Sequence, residues 1–275
     1  MKNNNHNFYS NLISDNQLYV MGILNVTPDS FSDGGKFNEI NLAIEYALEM
    51  IESGADIIDI GGESSRPGAA EVSVDEEIKR TIPTIQKIIK EKPNAIISID
   101  TTKPEVAEAA LENGASIIND ISALSDSRMI DVVKKHDATL VVMHMQGKPR
   151  TMQDNPSYNN VVEEVFNYLE TKIKFVKENG VNSIIVDPGI GFGKSVNHNY
   201  ELLRNLTNFQ NLETPLLIGV SRKSLIGKSL NLDVSERDIA TVILETDAVI
   251  KGAKIIRTHN VKNCVQLKKL NQLLL

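Results

Sequence analysis

The sequence predicts an α/β protein that folds as a (β/α)8 TIM barrel with a short N-terminal extension. Eight short apolar runs rich in β-branched residues recur along the chain, and each is followed by a polar turn and a segment with helical spacing. The runs lie at residues 18–24, 56–60, 95–99, 116–118, 139–143, 183–186, 216–220 and 254–256. Parallel strands with right-handed helical crossovers can close around a twisted sheet, so the first and last runs are expected to pair.

A doubly wound open sheet is the competing architecture. No G-x-G-x-x-G fingerprint follows the first run, and polar residues follow almost every run instead of gathering at one switch point. With 275 residues, 41% of them hydrophobic, the chain can bury one large core. We therefore expect an extension at residues 1–17 and a single barrel domain at residues 18–275.

Apolar residues three and four apart identify the helices that should cover the sheet. One such stripe consists of Leu42, Ala43, Ala47 and Ile51, and another of Val161, Val165, Leu169, Ile173 and Val176.

The composition limits the partners and the compartment. The formal net charge of -7 comes from intermixed acids and bases, and no basic block suits a nucleic-acid backbone. The polar opening MKNNNHNFYSNL lacks the apolar segment of a signal peptide, and no run is long enough to span a membrane. The only cysteine, Cys264, cannot form an internal disulfide. We expect a cytoplasmic protein with no nucleic-acid or membrane partner, and a frayed or weakly packed opening segment.

The active site of such a barrel is assembled where the strands end, so the polar residues at those positions are the candidates. In chain order they are Asn25, Glu63, Ser65, Arg66, Asp100, Asn119, Asp120, His144, Asp187, Ser221, Arg222, Lys223, Arg257 and His259.

Asp100 and Asp187 are the two carboxylates whose surroundings matter most. A buried carboxylate is costly unless it is paired, so each needs hydrogen-bond donors nearby. The donors are either the loop backbone and neighbouring cations, or a planar ligand that presents adjacent N–H groups. Convergence with Asn119 and Lys223 favours the ligand.

Three cationic or basic side chains follow strands that neighbour the first strand of a closed barrel. Arg66, Arg257 and His259 can converge there into an anion site, although surface ion pairs and an ordinary loop contact would also account for them. Asn25 ends the strand between them, and its amide oxygen is of the type that Mg2+ prefers.

Three glycine-rich segments complete the predicted site. Residues 26–35 and 61–70 have the composition of mobile loops over the barrel mouth, where loops exclude water once substrates bind. Residues 187–194 read DPGIGFGK, whose spacing differs from a Walker A loop, so we expect its glycines to let backbone approach a flat ring. Met143 either packs under that ring or fills the core.

Two long motifs resemble the signatures of dihydropteroate synthases, namely GILNVTPDSFSDGG at residues 22–35 and DIGGESSRPG at residues 59–68. Shorter family-like motifs are SIDTTK at 98–103, INDI at 118–121, MHMQ at 143–146, DPGIGFGK at 187–194, GVSRKS at 219–224 and RTH at 257–259. The resemblance runs from about residue 18 to the C-terminus and is to the monofunctional bacterial type. Ser65 departs from it, because many members have threonine there.

The resemblance implies a transferase that joins 6-hydroxymethyl-7,8-dihydropterin pyrophosphate to p-aminobenzoate in folate biosynthesis, with Mg2+ as cofactor. It also implies a homodimer and a target of sulfonamides. The residues carried over for the pterin are Asp100, Asn119, Met143, Asp187, Phe192 and Lys223. Those for the pyrophosphate are Asn25, Ser65, Arg66, Arg257 and His259, with Asn25 also the metal ligand. Those for p-aminobenzoate are Phe31, Pro67, Lys223 and Ser224, and the catalytic set is Asp33, Asp100, Asp187 and Lys223.

Two alternatives stay open at this point. A methyltetrahydrofolate-corrinoid methyltransferase would use the same pterin groups without the pyrophosphate cluster, which Asn25, Arg66 and the Arg257 to His259 triplet represent. A catalytically silent pterin-binding protein would tolerate gaps in the motifs, whereas every motif position is filled here.

Overall fold

The computed structural model describes residues 2–27, 35–64 and 68–274. Its parallel strands are β1 (Tyr19–Asn25), β2 (Ile57–Gly61), β3 (Ile96–Asp100), β4 (Ile117–Asp120), β5 (Thr139–Met143), β6 (Ile184–Asp187), β7 (Leu217–Ile218) and β8 (Ile255–Thr258). The helices are α1 (Lys2–Ser14), α2 (Gly35–Glu52), α3 (Val74–Glu91), α4 (Pro104–Glu112), α5 (Arg128–His136), α6 (Val161–Glu178), α7 (Val196–Arg204), α8 (Ser224–Leu230), α9 (Asp238–Ile250) and α10 (Val261–Leu274). None of these helices is long and apolar enough to cross a membrane.

The strands form the predicted barrel. The eight described strands follow the order β6-β5-β4-β3-β2-β1-β8-β7, so the first and last strands pair as expected. The remaining seam, between β6 and β7, is joined by the parallel bridge from Val186 to Leu216. Strand β7 is shorter than the predicted run 216–220 and consists of Leu217 and Ile218 alone.

Side chains alternate along the strands between two separate layers. Those that point outward, such as Val20, Ile58 and Ile97, pack with the helices in the larger core. The inward side chains at the amino ends of the strands form a smaller apolar layer inside the barrel, made of Tyr19, Met21, Ile57, Ile117, Val141, Ile185, Leu217 and Ile255. Further along several strands the inward positions are polar, as at Asp59 on β2, Asn119 on β4 and Arg257 on β8, so these polar groups lie toward the carboxyl end of the barrel.

From Phe8 onward the N-terminal extension packs against the barrel, which differs from the weakly packed opening that the sequence predicts. Phe8 and Leu12, one helical turn apart on α1, are buried against the apolar layer at the amino end of the barrel. The Tyr9 hydroxyl donates to the carbonyl of Ile184 at 3.1 Å. An open end of a barrel exposes apolar side chains, and α1 covers them.

The predicted helix stripes are largely confirmed. All five residues of the α6 stripe are buried. On α2, Ala43 and Ala47 are buried but Leu42 is 38% exposed. The buried face there continues through Met50 instead, because that residue lies three positions after Ala47.

Candidate active site

The inward polar residues at the carboxyl ends of the strands form one connected site. Asp59 is the centre of its first part, because its Oδ2 accepts from Arg257 Nε at 2.6 Å and from Asn119 Nδ2 at 3.0 Å. Arg257 Nη2 donates to Asp100 Oδ2 at 2.8 Å. The side chains of β2, β3, β4 and β8 are thereby held in a single network. Asn119 and Arg257 were predicted site residues, and the structure brings them together with Asp100.

Asp59 is the residue that sequence reasoning missed. It is fully buried and sits in the middle of β2, within the run IIDIG, instead of after the strand. A charged residue that alternates with Ile57 and Gly61 on the inward face is the signal that could have found it.

Asp100 is unusual in its ionisation. Burial raises the pKa of Asp100 to about 7, with the neighbouring Asp59 carboxylate adding to the rise and the Arg257 guanidinium opposing it. Asp100 therefore changes charge in the neutral range.

Asp187 and Lys223 form the second part of the site. Asp187 Oδ1 accepts from the backbone N–H of Gly189 at 2.7 Å, and Lys223 Nζ donates to the carbonyl of Ile190. Lys223 Nζ also lies 4.7 Å from the centre of the Phe192 ring, a cation–π contact. Burial raises the pKa of Asp187.

Lys223 lies within the electrostatic reach of both parts of the site. Burial lowers the pKa of its ammonium to about 8, and Arg257 contributes to the fall, while Asp187 and Asp100 oppose it. Lys223 Nζ and Arg257 Cβ lie 3.8 and 3.7 Å from the point where a side chain at Gly219 would begin. Lys223 and Arg257 are therefore at the same end of the barrel.

Two glycines of residues 187–194 lie against the protein's own backbone. Gly189 and Gly193 have φ of 69° and 58°. A Cβ at Gly189 would collide with the carbonyl oxygen of His144, and a Cβ at Gly193 would collide with that of Gln146. Gly189 and Gly193 therefore bring the loop against the backbone after β5, and the approach of this loop to a flat ring stays a prediction.

Lys194 ends this loop as a buried structural cation. Its Nζ donates to the carbonyls of Gly189 and Phe192 at 2.9 Å and lies 2.9 Å from His144 Nδ1. Burial lowers the pKa of Lys194 to about 7. Burial also lowers the pKa of His144, to about 3, and the charge of Lys194 adds to this fall. The His144 imidazole is thus neutral and serves as an acceptor. Met143 directly precedes His144 and is buried. Its Cγ lies 3.3 Å from the position that a Cβ at Gly189 would occupy.

Asn25 lies where β1 ends, next to Asp100. Its Oδ1 and Asp100 Oδ2 are 3.7 and 3.8 Å from the point where a side chain at Gly61 would begin. An amide oxygen and a carboxylate oxygen that face the same small volume suit the oxygen preference of Mg2+, so the residues present fit that ion.

The predicted anion cluster is only partly assembled by the described residues. His259 bonds to Ser221 Oγ through its backbone N–H at 3.1 Å and its ring Nδ1 at 3.0 Å. Arg257 instead faces Asp59 and Asp100. Arg257 lies within β8 whereas His259 follows the last residue of that strand, and the two side chains have different partners.

Two other candidates, Asp120 and Glu63, bond to neighbouring parts of the scaffold. Asp120 points out of the barrel and accepts from the backbone of Ser122 and Leu124 at 2.8 and 2.7 Å. Glu63 pairs with Lys103. Ser224 is an exposed residue at the start of α8, next to Lys223.

Five predicted site residues lie outside the described residues, namely Phe31, Asp33, Ser65, Arg66 and Pro67. Most of the first predicted mobile loop and the centre of the second are there too.

Comparisons with known proteins agree with this geometry. The profile of the family described as "Pterin binding enzyme" matches residues 21–259. The chain is 47% identical over 250 residues to the dihydropteroate synthase of Escherichia coli strain K12, covering 90% of this chain and 88% of the relative. It is 48% identical over 247 residues to that of Clostridium beijerinckii, covering 88% and 89%.

Solved structures agree as well. The Yersinia pestis dihydropteroate synthase with a sulfonamide drug complex superposes with a TM-score of 0.89 at 40% identity, covering 94% of this chain and 95% of that one. The Xanthomonas albilineans enzyme in complex with 7,8-dihydropteroate gives 0.85 at 37% identity, covering 94% of each chain. These matches confirm the resemblance drawn from the motifs, and the chain belongs to the dihydropteroate synthase family of pterin-binding enzymes.

Proposed function

We propose that the chain joins 6-hydroxymethyl-7,8-dihydropterin pyrophosphate to p-aminobenzoate, giving 7,8-dihydropteroate and pyrophosphate in folate biosynthesis. The observation that carries the proposal is the connected inward network of Asp59, Asp100, Asn119 and Arg257, beside Asp187 and Lys223. It offers acceptors and cations at the one end of the barrel where such enzymes bind substrates.

Asp100, Asn119, Asp187 and Lys223 are the proposed pterin contacts, with Met143 and Phe192 as apolar walls. The 2-amino-4-oxo edge of a pterin presents adjacent N–H groups, which a carboxylate accepts. Lys223 adds a donor for the carbonyl on the same ring. The cation–π contact that keeps Lys223 over Phe192 supports a fixed position for both.

The proposed pyrophosphate contacts are Asn25, Ser65, Arg66, Arg257 and His259. Asn25 is the proposed Mg2+ ligand, supported by its convergence with Asp100. When bound, Mg2+ would neutralise part of the charge on the leaving pyrophosphate.

The p-aminobenzoate pocket is assigned to Phe31, Pro67, Lys223 and Ser224, and Asp33 is proposed to close over the site. Ser224 is supported by its exposure beside Lys223. Sulfonamides resemble p-aminobenzoate and are expected to bind in the same place.

The reaction needs no nucleophilic side chain. The bond between the pterin methylene and the pyrophosphate oxygen breaks, positive charge develops on the pterin, and Asp100 and Asp187 stabilise it. The aniline nitrogen of p-aminobenzoate then forms the new C–N bond and loses a proton. The network from Asp59 keeps Arg257 next to Asp100, which favours the ionised carboxylate that this step requires.

We also propose a cytoplasmic homodimer with small-molecule substrates as its ligands. The support for self-association is an apolar surface on α9 and α10, where Ile243, Ile250 and Leu270 are 63%, 77% and 59% exposed. Exposed apolar patches of this kind commonly bind another protein surface.

Turnover with defined components tests the function. We expect pyrophosphate release only when the pterin pyrophosphate, p-aminobenzoate and Mg2+ are all present. Demethylation of methyltetrahydrofolate in the presence of a corrinoid protein would instead support the methyltransferase. Pterin binding without any turnover would support a silent binding protein.

A further inference from the structure

We propose that the start of α9 positions Lys223 through Arg237, Asp238 and Thr241, which we call the α9 clamp. The clamp acts on Arg222, which lies in the chain between the candidate site residues Ser221 and Lys223. The inference rests on the proposed function, because Lys223 is taken there as a contact of both substrates.

Arg222 has a conformation that arginine rarely adopts. Its φ is 55°, in the left-handed region where a side chain is disfavoured. This left-handed turn of the backbone at Arg222 lets Ser221 bond to His259 while Lys223 reaches the carbonyl of Ile190. Such a conformation persists only where the surroundings enforce it.

The α9 clamp holds Arg222 by three different groups. The Arg222 backbone N–H donates to Thr241 Oγ1 at 3.1 Å, and its carbonyl accepts from Arg237 Nη1 at 3.0 Å. Its guanidinium donates to both oxygens of Asp238, at 2.6 and 2.9 Å. Bidentate pairs of this kind fix orientation as well as distance. Backbone and side chain are thus both determined by α9.

The same clamp reaches the neighbouring loop after β8. Asn260 Nδ2 donates to Asp238 Oδ2 at 2.9 Å, and Asn260 directly follows His259. Asp238 therefore connects the loop that carries Lys223 with the loop that carries His259, and both loops belong to the proposed substrate site.

A purely structural role for these contacts makes a different kinetic prediction. Loss of stability lowers the amount of folded enzyme, which reduces the apparent kcat and leaves KM unchanged. Misplacement of Lys223 instead raises KM for p-aminobenzoate. The chain also offers a matched control in Asp247, which is on the same helix but away from the site. Its Oδ2 pairs with Lys251 Nζ at a distance of 2.7 Å.

The experiment compares Asp238→Asn, Thr241→Val and Thr241→Ser with Asp247→Asn in the pyrophosphate-release assay. We expect Asp238→Asn and Thr241→Val to lower kcat/KM for p-aminobenzoate on the order of 10- to 100-fold, mostly through KM. Thr241→Ser keeps the hydroxyl and should retain parental values, as should Asp247→Asn. Hydrogen exchange of residues 219–225 should be faster in Thr241→Val, because the Arg222 N–H loses its acceptor.

The outcomes separate the two proposals. If the parent chain turns over and Asp238→Asn matches Asp247→Asn in KM, the α9 clamp is refuted. If the parent chain does not turn over, the proposed function fails, and hydrogen exchange alone tests the α9 clamp. Exchange rates equal to those of the parent in both Asp238→Asn and Thr241→Val would then refute the clamp. Should Thr241→Val not fold, Asp238→Asn carries the test.

Discussion

Asp100 and Lys223 both titrate close to neutral pH, although one is an acid and the other a base. Burial moves the two pKa values toward each other, to about 7 and about 8. The acid is ionised only above its pKa and the base is charged only below its own. The state in which both are charged is thus confined to a narrow range of pH.

We therefore predict a bell-shaped dependence of kcat/KM on pH. Protonation of Asp100 below about pH 7 removes an acceptor, and deprotonation of Lys223 above about pH 8 removes a cation. Asp100→Asn should lower activity throughout and abolish the acidic limb. An acidic limb that persists unchanged in that variant would assign it to another group.

Glu245 is a buried acid outside the site, on α9. Burial raises its pKa from 4.5 to about 8, so the folded protein holds this proton more tightly than the unfolded chain. The free energy of unfolding should therefore fall as pH rises from about 4.5 to about 8. Glu245→Gln should weaken that dependence in denaturant titrations at several pH values, whereas Glu170→Gln, at an exposed position, should not. Equal slopes in parent and Glu245→Gln would contradict the assignment.

Single residues also show where sequence reasoning stops. The predicted fourth strand ended at residue 118, so Asn119 and Asp120 were both candidates. The strand in fact continues to Asp120, and alternation sends Asn119 inward to Asp59 and Asp120 outward to the loop backbone. A shift of one or two residues in a strand end, which the sequence leaves open, thus decides which side chain reaches the site.

At the scale of elements, the loop of residues 188–194 depends on one buried cation. Lys194 bonds to carbonyls at both ends of the loop and to His144, and the loop carries Phe192 beneath Lys223. The loop is therefore a fixed wall of the site.

We predict that Lys194→Met destabilises the protein and weakens binding of a pterin. A carbonyl that loses its donor on burial costs about 1–3 kcal/mol, as at Phe192, and the loop that holds Phe192 loses its anchor. Chemical unfolding and pterin affinity measure the two effects. Lys174→Met, at a lysine whose side chain is 77% exposed, is the control. Parental pterin affinity in Lys194→Met would show that the loop holds its place without this cation.

At the scale of the whole molecule, the barrel interior is divided between an apolar end covered by α1 and a polar end that holds the site. We predict that Leu12→Ala lowers the free energy of unfolding by about 2–5 kcal/mol, because it leaves a cavity in the apolar layer. KM for both substrates should not change. Ile13→Ala, at the adjacent position that is 58% exposed, is the control. Equal stability of the two variants would mean that α1 does not close the barrel.

The architecture was predictable because it depends on a periodicity that recurs along the whole chain. Eight apolar runs with helical segments between them left few alternatives, and the pairing of β1 with β8 followed from closure. The packing of α1 was not predictable, since its few apolar residues stand in a mostly polar segment and Ile13, next to the buried Leu12, is exposed. The link from α9 to Arg222 was equally hidden, because it depends on a left-handed residue that nothing in the sequence marks.

The seam between β6 and β7 gives the barrel a preferred line of separation. Backbone bonding there is limited to the bridge from Val186 to Leu216, whereas the other neighbouring strands share longer ladders. Asp187 ends one side of this line and Lys223 follows the other. Thermal opening of the sheet along this line would part these two charged groups, so inactivation on warming should precede the loss of secondary structure.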